Sequence, residues 1–294
     1  LARAIEVEGE DAKDVRKASV AVLRRAIDQG RTAIAKAFTE RPMTARPTLR
    51  AYNFLTDGVI EATFYVATQY LHPNPNPTEG ERLSVIAVGG YGRGEMAPHS
   101  DVDLLFLMPW KVTPWAESLI ESMLYVFWDL HLKVGHASRS IKDCLRLGRE
   151  DYTIRTSLLE NRHLTGDAAL AAELHDKLKS ELFSGTVADF IEAKGGLRDL
   201  QTLYWIGKYI HGVNSARELV GYGLFSQEEY DRFRAAETFL MAARCHLHLV
   251  AGRPTEQLTF DMQVEVAERM GYTDKGGRRA VEHFMQDYFR HATA

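Results

Sequence analysis

Apolar residues recur at helical spacing near the start of the chain. Between Asp14 and Phe38 they include Val15, Val22, Ile27 and Ile34, and most other positions are polar or charged. That spacing predicts an amphipathic helix. A Pro-marked break, ERPMTARP, precedes a second helix from about Thr48 to Leu71. Pro73, Pro75 and Pro77 then alternate through HPNPNPTEGER. This alternation excludes a helix and predicts a solvated linker.

After the linker the period changes. LSVIAV (83–88) and DVDLLFL (101–107) are short, apolar or β-branched, and bounded by Gly, Pro and Ser, so both read as strands. TPWAESLIESMLYVFWDL (113–130) reads as a largely buried helix, with Thr113 as cap and Pro114 in its first turn. HLKVGHAS (131–138) is a third strand, which completes a small α/β unit over 83–139. From about Ser140 the pattern predicts helices only. Leu200, Leu203, Gly207 and Ile210 share one helical face, and Phe233, Ala236, Leu240, Ala243, Leu247 and Val250 share another. The second of these opens with a capping box, Ser226 to Glu229. The expected fold is α+β: N-terminal helices (1–72), an α/β core (83–139) and a helical bundle (140–294) packed with it.

Composition adds boundaries. A chain of 294 residues can build two cores, and 45% apolar with 26% charged residues is ordinary for a globular protein. The net charge of -4 gives no electrostatic case for a nucleic-acid or membrane partner. No apolar run approaches the ~18 residues of a membrane span. LARAIEVEGEDAKD lacks the layout of a signal peptide, and both ends of the sequence suggest a piece of a longer protein. Cys144 and Cys245 show neither metal-site spacing nor a disulfide framework, as expected of buried thiols in a reducing cytoplasm.

The candidate chemistry lies in VGGYGRGEMAPHSDVDLLFL (88–107). A dinucleotide fingerprint counted from Gly90 and Gly92 would need glycine where Glu95 stands, and Pro98 falls where a long helix should run. No Gly-Lys-Ser/Thr follows, so it is not a P-loop either. A purely structural turn explains the glycines but not Asp101 and Asp103. These put like charges about 7 Å apart on one side of a strand that runs on into the apolar Leu104–Leu107. A metal–triphosphate site accounts for every piece. Gly89 and Gly90 turn backbone amides towards phosphate at a short helix start, and Arg93 and Ser100 add contacts. Asp101 and Asp103 hold one or two Mg²⁺ ions between triphosphate and attacking oxygen. Such a site suits nucleotidyl transfer.

This order of elements resembles the polymerase-β-type nucleotidyltransferase superfamily. AVGGYGRGEMAPHSDVDLLFL further resembles the bacterial PII uridylyltransferase/uridylyl-removing enzymes. So do LHLKVGHASRS (130–140), KGGLRDLQTLYWI (194–206), LTFDMQVEVAERMGY and MQDYFR, so that the likeness covers about 50–290. The resemblance implies transfer of UMP from UTP to a tyrosine hydroxyl of the signal protein PII, in a response to nitrogen limitation reported by glutamine. It places Gly89, Gly90, Arg93, Gly94 and Ser100 in the phosphate-binding turn, and Asp101 and Asp103 at the metal.

Three departures accompany it. The superfamily adds a third carboxylate on a neighbouring strand, yet HLKVGHAS has none. Asp129 just before it is the catalytic candidate, with His136 the other polar group nearby. A tyrosine nucleophile, with a pKa near 10, requires such activation. GTVADFIEAKGGLRDL runs directly where the family carries a longer polar stretch. The family's HD phosphohydrolase and ACT domains would fall beyond position 294, which implies transfer without hydrolysis or glutamine sensing.

KGGLRD reads either as a helix entry or as a place where Lys194, Arg198 or Asp199 meets the nucleotide, with Arg198 the candidate. His175-Asp176 reads as a solvated helix face. His246 and His248, about 200° apart around a helix, cannot share a metal. UTP over ATP rests on the resemblance alone. Adenylyl transfer of the related glutamine synthetase-modifying type, or a silent nucleotide-binding module, are the alternatives.

Overall fold

The computed structural model describes residues 1–8, 11–183, 204–208, 211–213 and 215–292. Its sheet is built on the apolar runs. β1 (Ser84–Ala87) and β2 (Val102–Met108) pair antiparallel, with Ser84 opposite Leu107 and Ala87 opposite Leu104. β3 (Val134–Ser140) lies parallel to β2, with Asp103 opposite Gly135. β4 (Arg162–Gly166) is antiparallel to β1, giving the order β3-β2-β1-β4. The two inner strands are covered on both faces, which is why they read as apolar runs rather than as alternation.

β4 corrects the expectation that only helices follow Ser140. RHLTG is a five-residue edge strand with one large apolar residue, Leu164, so neither alternation nor an apolar run marks it. Pairing with β1 makes it a strand.

The helices of the chain begin with α1 (Ala2–Glu8), α2 (Ala12–Glu40) and α3 (Ala45–Val66), which continues in a single wide turn, Ala67–Leu71. α3 starts earlier than expected because Pro47 fits its first turn, where the missing N–H has no helical acceptor to lose. α4 (Gly89–Gly92) links β1 towards β2. α5 (Pro114–Asp129) is capped by Thr113, whose hydroxyl accepts from the Ala116 amide at 3.2 Å. α6 (Ile141–Glu150), α7 (Tyr152–Leu159) and α8 (Ala168–Lys177) start on Ser140, Asp151 and Asp167 caps. Asp167 is also gripped by Arg82, whose Nε donates to Oδ2 at 2.6 Å.

Two compact units emerge. The first comprises Leu1–Ala33, Arg50–Met96 and Ser100–Leu182, so the unit that holds the sheet extends well past residue 139. The second comprises Ile34–Leu49, Ala97–His99 and the described residues from Phe183 onward. It contains α9 (Glu218–Gly221), α10 (Gln227–Ala251), α11 (Phe260–Arg269) and α12 (Ala280–Ala292). Ser226 and Glu229 form the expected capping box of α10, and Gly252 ends it in the left-handed conformation. Leu240, Ala243 and Leu247 bury with Val266 and Phe284 in its core. Leu200, Leu203 and Ile210 lie outside the described residues. Cys144 and Cys245 are buried free thiols. Among the described residues no helix is long and apolar enough to cross a membrane.

Candidate active site

β2 starts at Val102, so Asp101 lies one residue before the strand and Asp103 is its second residue. The Asp103 carbonyl accepts from the Val88 amide at 3.1 Å, which ties the strand to the end of β1. Its carboxylate lies between two glycines. A Cβ on Gly135, its partner across β3, would stand only 2.6 Å from Oδ1. A Cβ on Gly89 would stand 3.6 Å from Oδ2 and 3.8 Å from the Ser157 hydroxyl. Gly89 also has φ +59, a conformation that disfavours any side chain. Burial raises the pKa of Asp103, and the neighbouring charge of Asp101 adds to the rise. Asp101 is exposed, with Lys133 Nζ 3.6 Å from Oδ1 in a solvated, weak pair.

The glycine turn becomes α4. Its first intrahelical contacts run from the Gly92 amide to the Val88 carbonyl and from the Arg93 amide to the Gly89 carbonyl. The amides of Gly89, Gly90 and Tyr91 precede that ladder and point out of the helix start. The Arg93 guanidinium lies over Gly90, with a terminal nitrogen 3.7 Å from where a Cβ would be, and its Nε donates to Glu95 at 2.8 Å. Gly94 follows the turn at φ +81, a conformation that favours glycine, and Ser100 immediately precedes Asp101.

The fold thus brings Gly89, Gly90, Arg93 and Asp103 together, with Gly94, Ser100 and Asp101 in the same connection. It treats the other candidates differently. Asp129, at the end of α5, forms an ion pair with Arg16 at 2.7 Å, and its carbonyl accepts from Arg24. That carboxylate is paired with α2 through an ion pair that is part-exposed on both sides. His136 stands opposite Leu104, on the other face from Asp103, and packs edge-on against Phe106 at 6.4 Å. Lys194, Arg198 and Asp199 lie outside the described residues. His175 and Asp176 are exposed on α8, whereas His246 and His248 are buried in the second unit.

Two residues, Gly135 beside the carboxylate and Ser157 beside Gly89, escaped the sequence reading. Gly135 lay within HLKVGHAS, but only strand register shows what it faces. Ser157 carries no motif at all.

Among the described residues no group of three His, Cys, Asp or Glu side chains could hold a metal. Mg²⁺ does not need one. It keeps several waters and binds through one or two carboxylates together with substrate phosphates. Asp101 and Asp103 are hard oxygen donors of that kind, and a cation offsets the burial and the Asp101 repulsion that raise the pKa of Asp103. The residues present fit the ion.

Residues 77–148 match the model of the nucleotidyltransferase domain. The chain carries a nucleotidyltransferase domain. Residues 187–294 match the GlnD PII-uridylyltransferase model. Over 311 aligned residues, 97% of this chain is 58% identical to 34% of the bifunctional uridylyltransferase/uridylyl-removing enzyme of Ruegeria pomeroyi. The proteins of the same name from Cereibacter sphaeroides and Rhodospirillum rubrum are 57% and 45% identical over 96% and 95% of the chain, each covered for 33% of its length. These matches bear out the resemblance read from the motifs. The chain spans about a third of the length of the curated relatives it matches.

Proposed function

We propose that this chain transfers UMP from UTP to a tyrosine hydroxyl of a PII-type signal protein and releases pyrophosphate. The observation that carries the reading is the placement of Asp103 against the Gly89 turn, with Asp101 beside it. The names of the relatives, uridylyltransferase/uridylyl-removing enzyme, support the uridylyl group and its transfer.

The phenol oxygen forms a bond to the α-phosphorus of UTP, the bond from that phosphorus to the bridging oxygen of the β-phosphate breaks with its electron pair on the departing pyrophosphate, and the phenol proton passes to solvent. The Gly89, Gly90 and Tyr91 amides hold phosphate oxygens, and Arg93 above Gly90 adds positive charge. Asp101 and Asp103 would hold Mg²⁺, which when bound neutralises charge on the triphosphate and favours the attacking oxygen in its ionised form. The half-buried setting of Asp103 strengthens these electrostatic contacts relative to water. The PII partner, UTP, Mg²⁺ and a cytoplasmic setting belong together in this reading.

The test is to incubate the 294-residue chain with PII, Mg²⁺ and labelled UTP or ATP. Label passing from UTP to PII, lost in Asp101→Asn and Asp103→Asn, supports it. Transfer from ATP alone points to adenylylation. UTP binding without transfer, unaffected by either substitution, contradicts the proposal and identifies a silent module.

A further inference from the structure

The sequence Gly89-Gly90-Tyr91-Gly92 makes a helix of a single turn in which Tyr91 supplies the one side chain. Four residues, three of them glycine, form no stable helix by themselves, because each glycine adds backbone freedom to be lost and nucleation is costly. The positions of the turn's amides therefore depend on what holds Tyr91.

Tyr91 is 1% exposed and is held at three points. Its hydroxyl donates to Asp57 Oδ1 on α3 at 2.7 Å. Arg162, the first residue of β4, donates from both terminal nitrogens to the same carboxylate, at 2.8 and 3.0 Å. One of those nitrogens also donates to the Tyr91 carbonyl at 3.4 Å, and the guanidinium lies 5.4 Å from the centre of the Tyr91 ring. Burial and the Asp57 charge push the phenol pKa upward, so the hydroxyl stays protonated and remains a donor. The Glu160 carbonyl, two residues before Arg162, presses against Gly92 with no room for a side chain.

We propose that Asp57 and Arg162 are positioning residues for the phosphate-binding turn, acting on it through Tyr91; the inference rests on the function proposed above. A phenylalanine in an apolar pocket would anchor α4 without removing charges from water, and a part-buried ion pair is a poor source of stability. What the Asp57–Arg162 pair adds is direction. A bidentate guanidinium that also grips the Tyr91 carbonyl fixes the turn's rotation as well as its depth.

Tyr91→Phe, Arg162→Lys and Asp57→Asn are to be compared with the parent chain by amide hydrogen exchange, UTP binding and steady-state kinetics. Exchange at residues 89–95 is expected to quicken at least several-fold in each variant without ligand. The Kd and KM for UTP should rise about tenfold, with the KM for PII unchanged and a cooperative melt retained. Arg162→Lys, which keeps the charge but loses the fork, should behave like Tyr91→Phe. Unaltered exchange at 89–95 in all three variants would overturn the inference. So would losses of UTP and PII affinity that move together with loss of the cooperative melt, since a merely structural role gives that pattern. Quickened exchange in variants of a parent chain that binds no UTP would retain the positioning role and contradict the function proposed above.

Discussion

Asp103 and His246 are two ionisable side chains drawn away from water, one in each compact unit, and burial pushes both towards the neutral form. Their surroundings differ. His246 stacks on Phe38 at 4.3 Å, and its Nε2 is 2.9 Å from the Pro42 carbonyl, so packing and one hydrogen bond hold it, while Nδ1 has no hydrogen-bond partner among the described residues. Asp103 has a like charge beside it and glycines on either side. Burial alone therefore does not mark a site. A half-buried charge whose neighbours add repulsion and withhold side chains is the setting that the proposed cation would complete.

The sharpest break of this contrast is Asp103→Asn. Transfer should fall by about 10³-fold, a loss typical of electrostatic groups that act on the transition state. The thermal midpoint should hold or rise, because a repelled, partly desolvated charge is gone. A loss of both activity and stability would place Asp103 with the structural groups instead.

Gly135→Ala comes next. The new methyl meets Oδ1 at 2.6 Å and must displace the carboxylate, so kcat/KM should drop by about 10- to 100-fold while the fold persists. Unchanged kinetics would show that the glycine next to Asp103 is incidental.

The His246 side of the comparison is tested by pH. Its folded pKa is lowered to about 4, against an ordinary value of 6.5, by burial. Between those values the unfolded chain binds more protons than the native one, so stability is full above about pH 6.5 and is lost as pH falls towards 4. The loss amounts to about 3 kcal/mol at most. Urea unfolding at pH 7 and pH 4.5 should show it, and His246→Gln should flatten the dependence. An equal pH response in parent and variant would assign the effect to other groups.

The smallest effect is expected at Asp129. Its exposed ion pair with Arg16 contributes at most about 1 kcal/mol. Asp129→Asn should leave transfer within twofold, and a hundredfold loss would support it as a base.

The central strands, the glycine turn and the paired aspartates were legible because each leaves a local pattern: apolar runs, glycines at short spacing, and a charge ahead of an apolar strand. β4 was not, since its strand character comes from pairing with β1 rather than from its own five residues. His136 was close to the right place in sequence, but strand register turned it to the other face, and Asp129 pairs with Arg16. Asp57 and Arg162 sit 105 positions apart and meet only through the fold, so no motif could have joined them.

The central claim is that Asp101 and Asp103 complete a cation site only together with a triphosphate on the Gly89–Gly90 turn. Mn²⁺, a spectroscopic substitute for Mg²⁺, can be titrated into the chain and followed by electron paramagnetic resonance. The account predicts weak binding alone, binding strengthened at least tenfold by UTP, and loss of that gain in Asp103→Asn. Mn²⁺ affinity indifferent to UTP, or unaltered by Asp103→Asn, would contradict it.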